Sequence, residues 1–483
     1  MTVERNIPVQ LSGRSFAGID DFSNAELAYV LACAADAAAH RERYADLCRG
    51  RIMASLFFEP STRTRLSFET AMLRLGGQVI SSVDIGSTSL AKGETLADMA
   101  KVVGGYADIM VMRHPWEGAA RVVADHAGIP VINAGDGGHE HPTQTLCDLF
   151  TLKTDRGRLE GLRIALWGDL KYGRTVHSLA WALARFGSTV VFRPGPGLEA
   201  PAHVLSKLET DYGGEIVRGT DLSANEADGV LPVDAVYVTP RSPHQLAMLP
   251  HMSAQVELDR GLDAIYVTRL QRERMETGSA GESSRDYPIV NKKLLRSKGF
   301  ERSVVLHPLP RVDELALEMD SDPRSLYFKQ AHQGVPVRMA LISLLLGCSS
   351  ETCDSGSFVS SDFVPAQHRE YRHSTGVKCP NPRCVVNQET ESKYLAPRFK
   401  LIEVSPPRLR CSFCDHEVTG ACVATSEAFD EPMSRRKYHP ASSRWATTIR
   451  PENLLVFATA EDARTHGFKP AVDAGQGGGQ QDG

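Results

Sequence analysis

Two groups of residues in this sequence have the types and spacing that chemistry requires. In EPSTRTRLSFETAMLRLGG, the residues Ser61, Thr62, Arg63 and Thr64 close an apolar run and stand directly ahead of an amphipathic helical stretch. Amides at the start of a helix point outward with partial positive charge, the hydroxyls add donors, and Arg63 supplies a planar charged fork, so the arrangement suits a phosphate. Taken alone, the same residues leave a lesser alternative, a helix cap beside a solvated arginine. No P-loop of the Gly-x4-Gly-Lys-Ser/Thr type occurs, which argues against nucleotide hydrolysis. The second group is Cys379-Pro-Asn-Pro-Arg-Cys384 and Cys411-Ser-Phe-Cys414, two short knuckles with 26 residues between them. Four thiolates at these positions form a tetrahedral set for one structural Zn²⁺, whose binding would supply folding energy to a segment too small for a large core. With four cysteines as ligands no coordination position stays open, so the metal is expected to be structural.

The elements that must hold these residues follow from length and pattern. A chain of 483 residues should form about three domains. With 54 Lys+Arg against 59 Asp+Glu, the formal charge of -5 creates no basic field for nucleic acid, and local arginines must meet any anionic substrate. The polar start MTVERNIPVQLSGRSF lacks an apolar leader core, and no run approaches the roughly 20 apolar residues of a membrane span. Three cysteines are scattered (Cys33, Cys48, Cys147), while seven of the ten fall between 348 and 422. That clustering suggests metal binding in a reducing compartment, and a soluble, cytoplasmic protein is expected.

From about 24 to 347, apolar runs of four to six residues alternate with amphipathic stretches: RIMASLFF, ADIMVMRH, IPVINAGDG, RIALWGDL, STVVFRPG, AVYVTP, AIYVTR and SVVLHPLP. Such runs read as buried parallel strands joined by helices, an α/β architecture with two doubly wound parallel-sheet domains. Functional groups then lie just past the strand carboxyl ends, where the polar motif residues fall. The expected boundaries are 1–155 for a first domain completed by a C-terminal helix at 325–347, 156–324 for a second, 348–368 for a Ser-rich linker, 369–425 for a small β-rich zinc domain, 426–472 for a short degenerate module, and 473–483 for a disordered tail.

The motif Ser61-Thr62-Arg63-Thr64-Arg65 resembles the carbamoyl-phosphate signature of the aspartate and ornithine transcarbamoylase family. Further motifs similar to the family's follow in its order over roughly residues 8–347: STSLAKGETLAD, MRHP, GDGGHEHPTQTL, GDLKYGRTVHSL, TRLQRER and HPLPRVDE. The resemblance implies that Ser61, Thr62, Arg63, Thr64, Ser89, Lys92, Arg113, His141, Gln144, Leu309 and Pro310 bind carbamoyl phosphate, with Lys92 entering a neighbouring subunit's site from a loop and Ser89 its loop partner. It implies that Arg113 and His141 polarise the carbamoyl oxygen, that Gln144 holds the carbamoyl amide, and that Arg63, Thr64, Lys92, Arg113 and His141 form the catalytic set. Lys92, Arg174, Arg269 and Gln271 are implied for the co-substrate, and Glu59, Glu273 and Arg274 for ion pairs that support domain closure. The family's ornithine enzymes carry His-Cys-Leu-Pro where this chain has His307-Pro308-Leu309-Pro310. Two arginines suit the two carboxylates of L-aspartate, which is therefore favoured.

On this resemblance the α-amine of aspartate would attack the carbamoyl carbon, giving an oxyanion beside Thr64, Arg113 and His141. Phosphate would leave with no covalent enzyme intermediate and no cofactor for the chemistry. A homotrimer with shared active sites is implied, with pairing of trimers left open. No nucleic acid and no membrane is expected as partner. Residues 373–424 resemble the zinc domain of the family's regulatory chain, without the nucleotide-binding domain that normally precedes it, so no ATP or CTP response is expected. The stretch RRKYHPASSRWATTIRPENLLVFATAEDARTHGFKPA faintly resembles a metal-binding module of DNA-repair methyltransferases. It lacks that module's cysteines and carries Ser442, Ser443 and Ala471 near their places. A transcarbamoylase for another amino acid and an inactive scaffold remain as alternatives.

Overall fold

The computed structural model describes residues 10–83, 93–168, 170–171, 174–194, 197–214, 216–218, 235–239, 264–268, 290–296, 300–312, 314–348, 363–371, 373, 376–389 and 395–471. They fall into two compact units, one within Met1–Pro115 and Val123–Pro365, the other within Trp116–Val122 and Ala366–Gly483.

The first unit alternates strands and helices. Its first part contains α1 (Asn24–Ala39), β1 (Ile52–Phe57), α2 (Thr62–Arg74), β2 (Gln78–Ser82), α3 (Leu96–Gly104), β3 (Ile109–His114), α4 (Ala119–His126, whose first turn belongs to the second unit), β4 (Val131–Asp136) and α5 (Pro142–Arg156). Strands β3 and β4 are buried along their whole length and β1 along nearly all of it, as apolar runs covered by helices on both faces should be. The four strands pair in parallel in the order β2-β1-β3-β4. Chain direction across the sheet reverses between β1 and β3, so their carboxyl ends open a crevice there.

The second part contains β5 (Arg163–Gly168), α6 (Arg174–Arg185), β6 (Thr189–Pro194), α7 (Ala202–Tyr212), β7 (Ile216–Arg218), β8 (Ala235–Thr239), β9 (Ala264–Val267) and β10 (Val304–Leu306). These strands form a parallel sheet in the order β10-β9-β8-β5-β6-β7, again with a reversal, between β5 and β8. The last helix, α8 (Tyr327–Leu345), returns to pack on α1, α2 and α5, with Val337, Met339, Leu341 and Ile342 in the core. All eight apolar runs quoted from the sequence contain strands. Edge strand β2 was not among them, because it is only partly covered. Ile80 of this strand and Val83 just after it are exposed apolar side chains, as are Leu66 and Leu73 of α2 and Val102 and Tyr106 in and after α3.

The second unit carries two small sheets. Strands β11 (Arg369–Tyr371), β12 (Phe399–Val404), β13 (Pro407–Cys411) and β14 (Glu417–Thr419) form one in that order, after the one-turn helix α9 (Val385–Gln388) between β11 and β12. Strands β15 (Cys422–Thr425), β16 (Lys437–Pro440), β17 (Leu454–Phe457) and β18 (Lys469–Pro470), with α10 (Ala460–Thr465), form the other in the order β17-β15-β16-β18. Its core gathers Tyr438, Leu455, Phe457, Ala463 and Phe468. The sheets are clamped together: the Val456 N–H donates to Tyr371 Oη at 2.8 Å, and any side chain at Gly376 would strike the Phe457 ring 2.2 Å away. Gly376 also has a φ of +76°, which other residues rarely adopt.

Candidate active site

Ser61 occupies the position before α2, yet its hydroxyl makes no capping hydrogen bond, so the simple helix-cap reading does not account for it. Helix α2 is anchored by Glu69, whose Oε1 accepts from Ser55 Oγ of β1 and Ser81 Oγ of β2, each at 2.9 Å. The helix start is thereby aimed at the crevice by two strands.

Arg113, nearly the last residue of β3, is buried, and its Nε donates to Glu59 Oε2 at 3.0 Å. The loop after β4 places His141. Asp136 Oδ1 accepts from Asn133 Nδ2 and from the Glu140 N–H, each at 3.0 Å, and Asp136 Oδ2 faces His139 Nδ1 at 3.0 Å. These bonds curl the loop so that His141 opens α5, its N–H donating to Ser178 Oγ of α6 at 3.4 Å. A Cβ built on Gly135, at φ +118°, would lie 3.5 Å from both Arg113 Nη1 and His141 Cδ2, so these two side chains flank the same glycine.

Opposite them lies the loop after β10. The Leu309 N–H donates to His307 Nδ1 at 2.7 Å, so the ring proton sits on Nε2, which faces Glu314 Oε1 at 2.8 Å. Burial lowers the His307 pKa. Burial pushes Glu314 upward, but bonds from His307 and the backbone outweigh it and leave its pKa lowered. Leu309 adopts φ +54°, a strained conformation for a branched side chain and one that clusters at functional sites.

These elements enclose a cavity of about 590 Å³, the size of a small-molecule site. Ser61, Thr62, Arg63, Thr64, Glu59, Arg113, His141 and Gln144 line it, together with Leu309 and Pro310. Arg174 is the first residue of α6, and its neighbour Thr175 lines the cavity, as does Thr268, the residue before Arg269. Ser89, Lys92, Arg269, Gln271, Glu273 and Arg274 lie outside the described residues, as does the side chain of Arg174. The sequence reading missed Gln330 and Arg338, which also line the cavity. They project from α8 eight residues apart, Gln330 in its polar first half and Arg338 as a charge in its apolar second half. Arg338 Nη1 donates to Ser67 Oγ at 3.0 Å and its guanidinium lies 4.9 Å from the Phe68 ring centre.

In the second unit, the sulfurs of Cys379, Cys384, Cys411 and Cys414 all lie within 4.8 Å of one another and are buried. Cys379 and Cys414 are 3.4 Å apart and Cys384 and Cys411 3.9 Å, bracketing the edge of about 3.7 Å expected for four thiolates around one tetrahedral metal with bonds of about 2.3 Å. The first knuckle is fixed by Glu117, whose buried carboxylate accepts from Asn381 Nδ2 at 2.5 Å and whose N–H donates to the Arg383 carbonyl at 2.9 Å. The site thus fits a metal.

Two α/β lobes with a phosphate-suited crevice fit a transferase of the carbamoyltransferase class, and the chain belongs to the aspartate/ornithine carbamoyltransferase family. Residues 14–154 match its carbamoyl-phosphate-binding domain, 244–345 its Asp/Orn-binding domain, and 374–424 the metal-binding domain of the aspartate carbamoyltransferase regulatory chain. An aspartate carbamoyltransferase catalytic subunit from Thermococcus onnurineus is 44% identical over 341 residues, covering 70% of this chain and 99% of that protein. The one from Thermococcus kodakarensis is 45% identical over 337 residues, covering 69% and 97%. Among solved structures, the catalytic subunit of M. jannaschii aspartate transcarbamoylase matches with a TM-score of 0.55 and 38% identity, covering 69% of this chain and 98% of that one. Aspartate transcarbamoylase from Trypanosoma cruzi in complex with N-(phosphonacetyl)-L-aspartic acid matches with a TM-score of 0.57 and 34% identity, covering 70% and 98%. No helix among the described residues is long and apolar enough to cross a membrane.

Proposed function

We infer that this protein transfers the carbamoyl group of carbamoyl phosphate to the α-amine of L-aspartate, giving N-carbamoyl-L-aspartate and phosphate, an early step of pyrimidine synthesis. The observation that carries this reading is the convergence of the α2 start, Arg113, His141 and the Leu309-Pro310 loop on one cavity of substrate size.

The phosphate sits at Ser61–Thr64, held by hydroxyls, helix-start amides and Arg63. Arg113, His141 and Thr64 take the carbamoyl oxygen and stabilise it as the amine attacks and negative charge develops there. Gln144 and the carbonyls of the Pro308–Pro310 loop accept from the carbamoyl NH₂. The departing phosphate can receive the amine proton, so positioning and electrostatics account for catalysis without a covalent intermediate. Arg174 and Arg269, with Gln271, clamp the aspartate carboxylates, while Glu59, Glu273 and Arg274 support closure.

Lys92 completes the site from a neighbouring subunit with Ser89 beside it, in a homotrimer. The open edge of strand β2, with Ile80 and the following Val83 exposed, supports such an assembly, because an uncovered sheet edge with apolar side chains calls for a partner. The four cysteines hold one structural zinc ion, and the enzyme works in the cytoplasm. The test is phosphate release from carbamoyl phosphate with aspartate, ornithine and N-acetylornithine offered separately. Release with aspartate alone is expected. Release with ornithine instead would reassign the acceptor, and none with any amine would leave a scaffold.

A further inference from the structure

Behind the cavity wall lies a carboxylate to which the chemistry described so far gives no role. Asp148 sits on α5, one turn beyond Gln144, and is 1% exposed. Its Oδ1 collects three donors: Gln144 Nε2 at 2.9 Å, Gln330 Nε2 at 2.9 Å and Tyr266 Oη at 3.0 Å. They come from α5, α8 and strand β9, so one oxygen ties together both lobes and the returning helix. Gln330 extends the chain of bonds, since its Oε1 accepts from the His307 N–H at 3.0 Å, and His307 in turn accepts from the Leu309 N–H.

The direction of every bond in this chain follows from the carboxylate. An acceptor at Asp148 makes both glutamine amides point their NH₂ groups inward. The Oε1 of the cavity-lining Gln144 is then the atom left to face a ligand, and Gln330 is left with an oxygen for His307. The Leu309 N–H is itself consumed, so the main chain of that loop has carbonyls to offer. Gln144 Oε1 and the carbonyls of the loop are thus the acceptors this network turns toward a ligand, while the second N–H of Gln330 is spent on Tyr266 Oη at 3.2 Å.

We propose that Asp148 is a positioning residue that sets the hydrogen-bond polarity of the cavity, orienting Gln144 and, through Gln330, the His307–Pro310 loop to accept from a substrate NH₂. Resting on the carbamoyl-phosphate reading above, this makes Asp148 the origin of selectivity for a carbamoyl over an acetyl group. Acetyl phosphate has the same phosphate and carbonyl with a methyl group where carbamoyl phosphate has NH₂. A site built to bond a substrate N–H discriminates against an analogue lacking it, because the buried acceptors are left unpaired.

The test compares binding of carbamoyl phosphate and acetyl phosphate by calorimetry, in the full-length protein and two variants. Asp148→Leu keeps the bulk and removes the acceptor. It should weaken carbamoyl phosphate by about tenfold or more while leaving acetyl phosphate within about twofold. Asp148→Asn retains an Oδ1 acceptor and should restore carbamoyl phosphate to within about threefold of wild type. Parallel weakening of both ligands would reduce Asp148 to a structural role, and unchanged carbamoyl phosphate binding in Asp148→Leu would remove it from the site altogether. Should Asp148→Leu not fold, Gln330→Met removes the arm to His307 together with one of the three donors to Asp148, while Gln144 and Tyr266 stay bonded to the carboxylate. It is expected to weaken carbamoyl phosphate selectively by about threefold, and an equal loss for acetyl phosphate would overturn the proposal. Phosphate release by the wild type, measured separately, tests the transferase reading, while the calorimetry needs no turnover.

Discussion

Glu59 Oε2 receives Arg113 Nε at 3.0 Å, Glu59 just past the end of β1 and Arg113 near the end of β3, neighbouring strands paired from Met53 with Ile109 to Phe57 with Arg113. The guanidinium is therefore oriented by its own lobe before any substrate arrives. Holding a catalytic donor in place in advance removes that ordering cost from the reaction. Glu59→Gln keeps a neutral acceptor but loses the charge-assisted bond, and kcat/KM should fall by about tenfold, equivalent to about 1.4 kcal/mol. Steady-state kinetics in which Glu59→Gln matches wild type within twofold would show that Arg113 is held by other means.

Arg113 itself should matter more. As a fixed charged donor to a developing oxyanion it is worth about 3 to 4 kcal/mol, so Arg113→Ala should lower kcat by two to three decades. A drop of less than threefold at saturating substrate would exclude it from the mechanism.

The four buried thiols predict one zinc ion per chain, measured by elemental analysis of the purified protein. Cys411→Ser should reduce the content below about a tenth and open the segment between the knuckles to protease, because metal binding is the source of folding energy in such small modules. A metal-free wild type with the same protease resistance would refute the assignment.

Burial lowers the pKa of His114 from 6.5 to about 3. Between these values the unfolded chain binds one proton more than the folded chain, so stability must rise with pH across the window, by up to about 1.4 kcal/mol per pH unit. The folded state gains this contribution above pH 6.5 and loses it as the pH falls toward 3. His114→Gln should show a shallower decline in urea midpoint from pH 6.5 to 4.5 than wild type. Identical slopes would mean that His114 takes up no additional proton on unfolding.

Legibility in the sequence followed locality. The strands of both lobes announced themselves as short apolar runs because parallel strands covered on both faces tolerate few polar residues. Strand β2, at an edge, and the three-residue β7 lacked that signature. The phosphate-suited residues and the cysteine knuckles were readable because each lies within a few positions of its partners. Gln330, Arg338 and Asp148 were not, since their meaning depends on neighbours up to 271 residues away, as in the bond from Arg338 to Ser67. Arg338 alone stands out, as a charge in the apolar half of α8; Gln330 and Asp148 lie among other polar residues of their helices, so no local signal marks them. For the amine-binding half, Thr175 and Thr268 mark where the chain beside Arg174 and Arg269 meets the cavity.

The clamp between the two small sheets of the C-terminal unit bears on how this chain can be divided. Only Gly420 and Ala421 separate β14 from β15, and Tyr371, Gly376 and Phe457 interlock across the junction. A gene cut after codon 425 would thus remove the partner surface of the zinc sheet along with the tail, and the fragment left behind would show aromatic-sized gaps to solvent. Recombination that swaps the zinc module into another carbamoyltransferase should carry residues 369–471 as a single cassette, into a host that offers a counterpart of Glu117 to the first knuckle.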